Sequence, residues 1–160
     1  MINRLLFVVL LMMLMGCSKS TVLLFEDLPS EGWLQEEWVS FSYKHRLPNK
    51  TVSLDWILRH DNAYPFANIH LIAAWKNPKG ITHSDTLSYL LAEPNGRWLG
   101  TGLYVKELSL PFLDTFLLDE PGTYTFSVRP AVRANETLIA EKILPGIHQI
   151  GIALNPISNE

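Results

Sequence analysis

From Val39 onward the apolar residues recur at every second position, and that period governs what the chain can become. Val39, Phe41 and Tyr43 alternate with Ser40, Ser42 and Lys44. Val52, Leu54, Trp56 and Leu58 alternate with Ser53, Asp55 and Arg59. Ile69, Leu71, Ala73 and Trp75 continue the pattern, as do Tyr124, Phe126 and Val128, and then Ile150, Ile152 and Leu154. A period of two lines one face of an extended segment, so each stretch reads as a strand with one side buried. Thr86 to Ala92, rich in Thr, Tyr and Leu, reads as a further strand. Leu108 to Leu118 contains Pro111, which has no amide to donate, and this confines it to an edge or broken strand. Pro130 marks a bulge or an edge for the same reason.

Turn chemistry falls between these stretches. Pro48-Asn49-Lys50, Asn77-Pro78-Lys79-Gly80, Glu93-Pro94-Asn95-Gly96 and Asp119-Glu120-Pro121-Gly122 pair proline, which pre-sets φ, with residues that tolerate positive φ. Asp61 to Pro65 reads as a loop, and Asn135 to Lys142 as one helical turn or a hairpin tip. After the N-terminal leader no segment carries helical periodicity over a useful length. Short strands with turns between them read as all-β: a single antiparallel β-sandwich, jelly-roll or Ig-like, of about seven or eight strands.

The N-terminus is of a different kind. Arg4 precedes an unbroken apolar run, Leu5 to Met15, too short for a stable membrane span and the length of a signal-peptide core. Leu14-Met15-Gly16-Cys17 then fits a lipobox. The thiol of Cys17 takes a diacylglyceryl group as a thioether, small Gly16 lets the peptidase approach, and the freed amine of Cys17 is acylated in turn. The expected organisation is a signal peptide over 1–16, a lipidated Cys17 with tether over 17–24, and a β-sandwich over 25–160. Cys17 is the sole cysteine. With no disulfide available, packing alone must hold the domain, and the five tryptophans and five tyrosines all lie after the leader.

The formal net charge is −3, and no run of basic residues occurs. Nucleic-acid binding is not expected. A polybasic membrane contact is not expected either, since attachment falls to acyl chains on Cys17. His45, His60, His70, His83 and His148 show no metal-ligand spacing, so no metal or cofactor is expected. His60-Asp61 and His83-Ser84-Asp85 contain triad residue types, but no Gly-x-Ser-x-Gly accompanies them. No catalytic residue is assigned, and the chain reads as a non-enzyme. The most distinctive internal stretches are Trp98-Leu99-Gly100-Thr101-Gly102, with the preceding Arg97, and Tyr64-Pro65-Phe66. Each has two readings: loops that bind a partner or a sugar ring, or buried aromatics that clamp a loop onto the sandwich. The clamp is the better reading for Trp98.

At these residues the chain resembles the gliding-motility lipoproteins of the GldH type from Bacteroidetes. The resemblance rests on Asn62-Ala63-Tyr64-Pro65-Phe66-Ala67-Asn68, Asp85-Thr86-Leu87 and Ala92-Glu93-Pro94-Asn95-Gly96-Arg97-Trp98-Leu99-Gly100-Thr101-Gly102. Pro121-Gly122-Thr123-Tyr124 and the closing Gly146 with Ile150-Gly151 extend it over about residues 28–155. The closing strand departs at Gln149, near which an acidic residue belongs to the pattern. The resemblance implies a cell-envelope lipoprotein, anchored by lipid and expected in the outer membrane. It further implies a link to gliding and to the type IX secretion machinery, with other envelope proteins as partners. It supplies no catalytic residues. Two alternatives stand beside this reading: a surface glycan-binding module, which would present a flat row of exposed tryptophans, and a hydrolase, which would need a deep cleft with converging carboxylates.

Overall fold

A computed structural model describes residues 21–131 and 142–157. The leader, Cys17 and most of the Asn135–Lys142 segment lie outside the described residues. Ten strands follow one another: β1 (Val22–Asp27), β2 (Trp33–Leu34), β3 (Val39–His45), β4 (Lys50–His60), β5 (Asn68–Lys76), β6 (Thr82–Leu90), β7 (Lys106–Leu118), β8 (Gly122–Pro130), β9 (Ile143–Leu144) and β10 (Ile147–Pro156). The described residues contain no helix. Two four-stranded sheets, β1-β10-β4-β7 and β3-β8-β5-β6, face each other, and β2 and β9 form a two-residue ladder beside them. Every pairing is antiparallel.

The eight long strands nest. The first pairs with the last (β1·β10), the second with the seventh (β3·β8), the third with the sixth (β4·β7) and the fourth with the fifth (β5·β6). This is one long hairpin rolled up on itself, the order of a jelly roll, and of the two architectures named from sequence it is the one present.

Alternation chose the buried faces. Val52, Leu54, Trp56 and Leu58 of β4 point inward, as do Ile69, Leu71 and Ala73 of β5 and Tyr124, Phe126 and Val128 of β8. Between the sheets Phe41, Trp56 and Phe112 make one aromatic group, and Phe116 meets Trp75, Tyr124 and Phe126 edge-on. Trp75 is the partial exception, half-buried with its outer part stacked on His83.

Three readings change. Val22 to Leu24, which the sequence assigns to the end of the tether, are the first residues of β1. Their continuous apolar run hides a strand whose two faces are both partly covered. Pro130 is neither bulge nor edge: it is the last residue of β8, which lies between β3 and β5 and simply stops there. The strand expected over Thr86–Ala92 is β6, which runs over Thr82–Leu90, and Leu91 and Ala92 turn inward behind it. Pro111 does lie in an edge strand, β7, where the register to β4 slips beside it. Its carbonyl accepts the Tyr89 hydroxyl from β6, which ties the edges of the two sheets together.

The outer face of the first sheet carries one row across all four strands. Asp27, Gln149, Arg59 and Glu107 stand in register. Gln149 donates to Asp27 and accepts from Arg59, whose guanidinium also pairs with Glu107 at 2.7 Å. The departure at Gln149 is thereby accommodated, because an amide can serve an acid on one side and a cation on the other. Phe25 lies flat across Gly151, where any side chain would strike its ring, and Arg59 covers the ring at 4.3 Å.

Candidate partner-binding surface

The two ends of the sandwich differ. At one end β1 starts and β10 finishes, and three short turns (46–49, 77–81 and 119–121) close the sheets. At the other end lie the long connections: 28–38, 61–67, 91–105 and the stretch before β10. β4 has 11 residues, so the ends stand about 36 Å apart. Both loops singled out from sequence belong to the far end, remote from the start of β1.

There they pack together. His60, the last residue of β4, is fully buried, with Trp98 edge-on at 4.7 Å and Tyr64 at 5.8 Å. The Tyr64 ring is buried and its hydroxyl donates to the Asn68 carbonyl at 2.9 Å. Phe66 meets Tyr64 edge-on, while Pro65 is exposed. Asp61 holds the loop's start by accepting from the Ala63 amide at 2.8 Å and pairing with His148 at 2.9 Å. Burial raises the Asp61 carboxyl, but these hydrogen bonds outweigh it and hold the group below the usual carboxylate range.

The turn before Trp98 forms as its sequence implies. The Gly96 amide donates to the Glu93 carbonyl at 2.9 Å, and the exposed Arg97 guanidinium pairs with Glu93. Trp98 and Leu99 are half-buried against the core, and Trp98 bridges to Ala92. Gly100, Thr101 and Gly102 are exposed. Gly100 and Gly102 both have positive φ, and a Cβ on either would enter a backbone carbonyl, that of Glu107 or Val105. The tight backbone closes a finger: Thr101 and Glu107 exchange two amide hydrogen bonds of 3.0 and 2.8 Å, and Lys106 donates back to the Gly102 carbonyl.

At the tip of that finger stand three apolar side chains not singled out from sequence. Leu103 is 90% exposed and Tyr104 87%, and Val105 beside them is half in water. The signal was present as an apolar triplet directly after Gly-Thr-Gly, in a loop with no alternation to bury it.

The tryptophans do not make a sugar platform among the described residues. Trp33 and Trp56 are fully buried, Trp75 and Trp98 half-buried, and Trp38, 45% exposed, is covered by Arg129 at 5.3 Å. No group of three or more His, Cys, Asp or Glu among the described residues is arranged to hold a metal ion.

Buried His60 gives a measurable property. Its Nδ1 donates to the Asp61 carbonyl at 3.1 Å, while Nε2 has no partner among the described residues. Burial pushes its pKa below 6.5, with Lys106 and His148 helping and Asp61 opposing. The unfolded chain therefore takes up this proton first as pH falls. The stability carried by neutral His60 is complete above pH about 6.5 and is lost as pH drops through the lowered value. Melting temperature is expected to fall from pH 7 to pH 5, and His60→Phe, which keeps a ring against Trp98, to flatten that fall. Parallel pH profiles for the two proteins would place the titration elsewhere.

The GldH lipoprotein family model matches residues 23–154, from β1 to β10. A protein of Christiangramia forsetii described as a gliding motility lipoprotein GldH homolog is 31% identical over 155 residues, covering 96% of this chain and 94% of that one. The gliding motility lipoprotein GldH of Flavobacterium johnsoniae is 32% identical over 145 residues, 89% of each chain. Among solved structures, one of infectious bursal disease virus (Gx strain) is similar at a TM-score of 0.39 and 11% identity, over 89% of this chain and about a third (34%) of that one.

Proposed function

The chain belongs to the GldH lipoprotein family, and from that premise we propose that it is a non-catalytic binding component of the gliding or type IX secretion machinery, held to the outer membrane by acyl chains on Cys17. Its partners are other proteins of the envelope. The surface it uses is the far end of the sandwich, where the Tyr64–Phe66 and Trp98–Gly102 loops form a packed base for the Leu103–Val105 finger. The observation that carries this reading is the finger itself. Leucine and tyrosine side chains held almost wholly in water, on a loop closed by two backbone hydrogen bonds, serve nothing inside the domain. A rigid apolar tip enters a pocket at little ordering cost, which is how anchor residues of interfaces work.

The test is co-purification from gently solubilised envelopes with Leu103→Ser/Tyr104→Ser. Neither side chain is buried, so the melting temperature should stay fixed. Partner binding should weaken by about 2–4 kcal/mol, tens- to hundreds-fold. Unchanged recovery of every partner would remove the finger from the interface. Hydrolysis of a glycan or peptide by the purified protein would overturn the non-catalytic reading.

A further inference from the structure

The end opposite the finger also carries side chains that the interior does not explain. Leu47, at the β3–β4 turn, is 73% exposed, and Ile81, at the β5–β6 turn, 53%. Ile157, just past β10, is exposed too and lies in the same groove as Leu47. Lys44, Arg46 and Lys50 surround that groove. All three fall within residues 44–50, spaced by His45, Leu47, Pro48 and Asn49, so the sequence shows no unbroken basic run. The β3–β4 turn gathers them at one end of an otherwise acidic chain. The acids nearby are engaged: Glu120 pairs with Lys79, and Asp119 accepts the Tyr124 hydroxyl at 2.8 Å.

The position of the chain's attachment decides what this end meets. β1 starts here, with Val22 opposite Leu154. Cys17 is five residues before Val22, a reach of at most about 18 Å. A lipid on Cys17 therefore keeps the start of β1, and with it this end, within about 18 Å of the bilayer, whereas nothing in the tether draws the far end there. Apolar side chains ringed by lysine and arginine suit an interface whose outer layer is phosphate and whose next layer is acyl chain.

We propose that the tethered end is a second membrane contact: Leu47, Ile81 and Ile157 enter the interfacial zone while Lys44, Arg46 and Lys50 meet lipid phosphates, so that the sandwich stands upright with its finger pointing away. This rests on acylation at Cys17. The docking orients the domain, whereas the acyl chains retain it.

The lipid consumes the only thiol, so an introduced cysteine gives a unique reporter. Acylated full-length protein carrying Leu47→Cys, Ile81→Cys or Tyr104→Cys is labelled with a polarity-sensitive dye. It is then reconstituted on vesicles of phosphatidylethanolamine and phosphatidylglycerol. Labels at 47 and 81 should shift to the blue and show about three-fold less quenching by aqueous iodide than the label at 104, as expected for a site at headgroup depth. Lys44→Glu/Arg46→Glu/Lys50→Glu should return the label at 47 to water while the protein still floats with the vesicles. Flotation with 47 and 104 equally quenched overturns the docking and leaves the anchor standing. Failure to float at all overturns the anchor, and the docking with it.

Discussion

Trp56→Ala is expected to cost about 3–5 kcal/mol of folding stability. Trp56 has no solvent exposure and sits midway along β4, with Ile152 of β10 on one side and Leu110 of β7 on the other. Its ring lies 5.3 Å from Phe112 and 6.3 Å from Phe41, so truncation opens a cavity where the two sheets meet. A domain of this size has about 5–15 kcal/mol in total, and the variant should be partly unfolded near physiological temperature. Trp56→Phe should be much milder. The Trp56 indole N–H has no partner among the described residues, so phenylalanine forfeits volume but no hydrogen bond. Trp33→Phe, by contrast, leaves the Glu37 carbonyl without the 3.1 Å bond from the indole. Urea melts read all three. A Trp56→Ala shift below about 1 kcal/mol would mean the core closes around the loss.

Trp56 also shows what was legible beforehand. Its burial follows from alternation, because a strand with one apolar face has only one face to hide. The same rule found β3, β5, β8 and β10. It failed at β1, where Val22-Leu23-Leu24-Phe25 is apolar throughout: Val22 and Leu24 pack toward the core while Phe25 is covered from outside by Gly151 and Arg59. It could not give strand order, since alternation states which face is buried and not which strand lies beside it. β2 and β9, two residues each, are too short to have a period. For the loops, residue chemistry identified Tyr64 and Trp98 as distinctive, and both proved to be packed against His60. The finger tip is not legible in the sequence because exposure, the property that sets Leu103 and Tyr104 apart, depends on the turn geometry at Gly100 and Gly102.

The second large effect is expected at the N-terminus. Cys17→Ser should abolish fatty-acid labelling of the chain and move it from the membrane fraction to the soluble one. The thioether needs a thiolate nucleophile, a serine hydroxyl is far less nucleophilic at neutral pH, and no other cysteine can substitute. Each buried methylene is worth roughly 0.8 kcal/mol, so losing two or more chains removes far more than a ring of basic and apolar side chains can restore. Metabolic labelling and carbonate extraction read the two halves of this expectation. Label persisting on the serine variant would refute the assignment of Cys17.

The nested strand order bears on when such a protein can fold. β10 is the last strand to be made, yet it lies between β1 and β4, inside the first sheet. Until residues 147–156 are available, β1 has no neighbour at all and β4 is open along one side. Early fragments thus lack the contacts that would repay the entropy of closing so long a loop. The sequence in effect postpones its own folding until its final ten-residue strand has arrived. That fits the export expected of a chain with a signal peptide over 1–16, which needs the hydrophobic strands to stay threadable until the whole chain has passed.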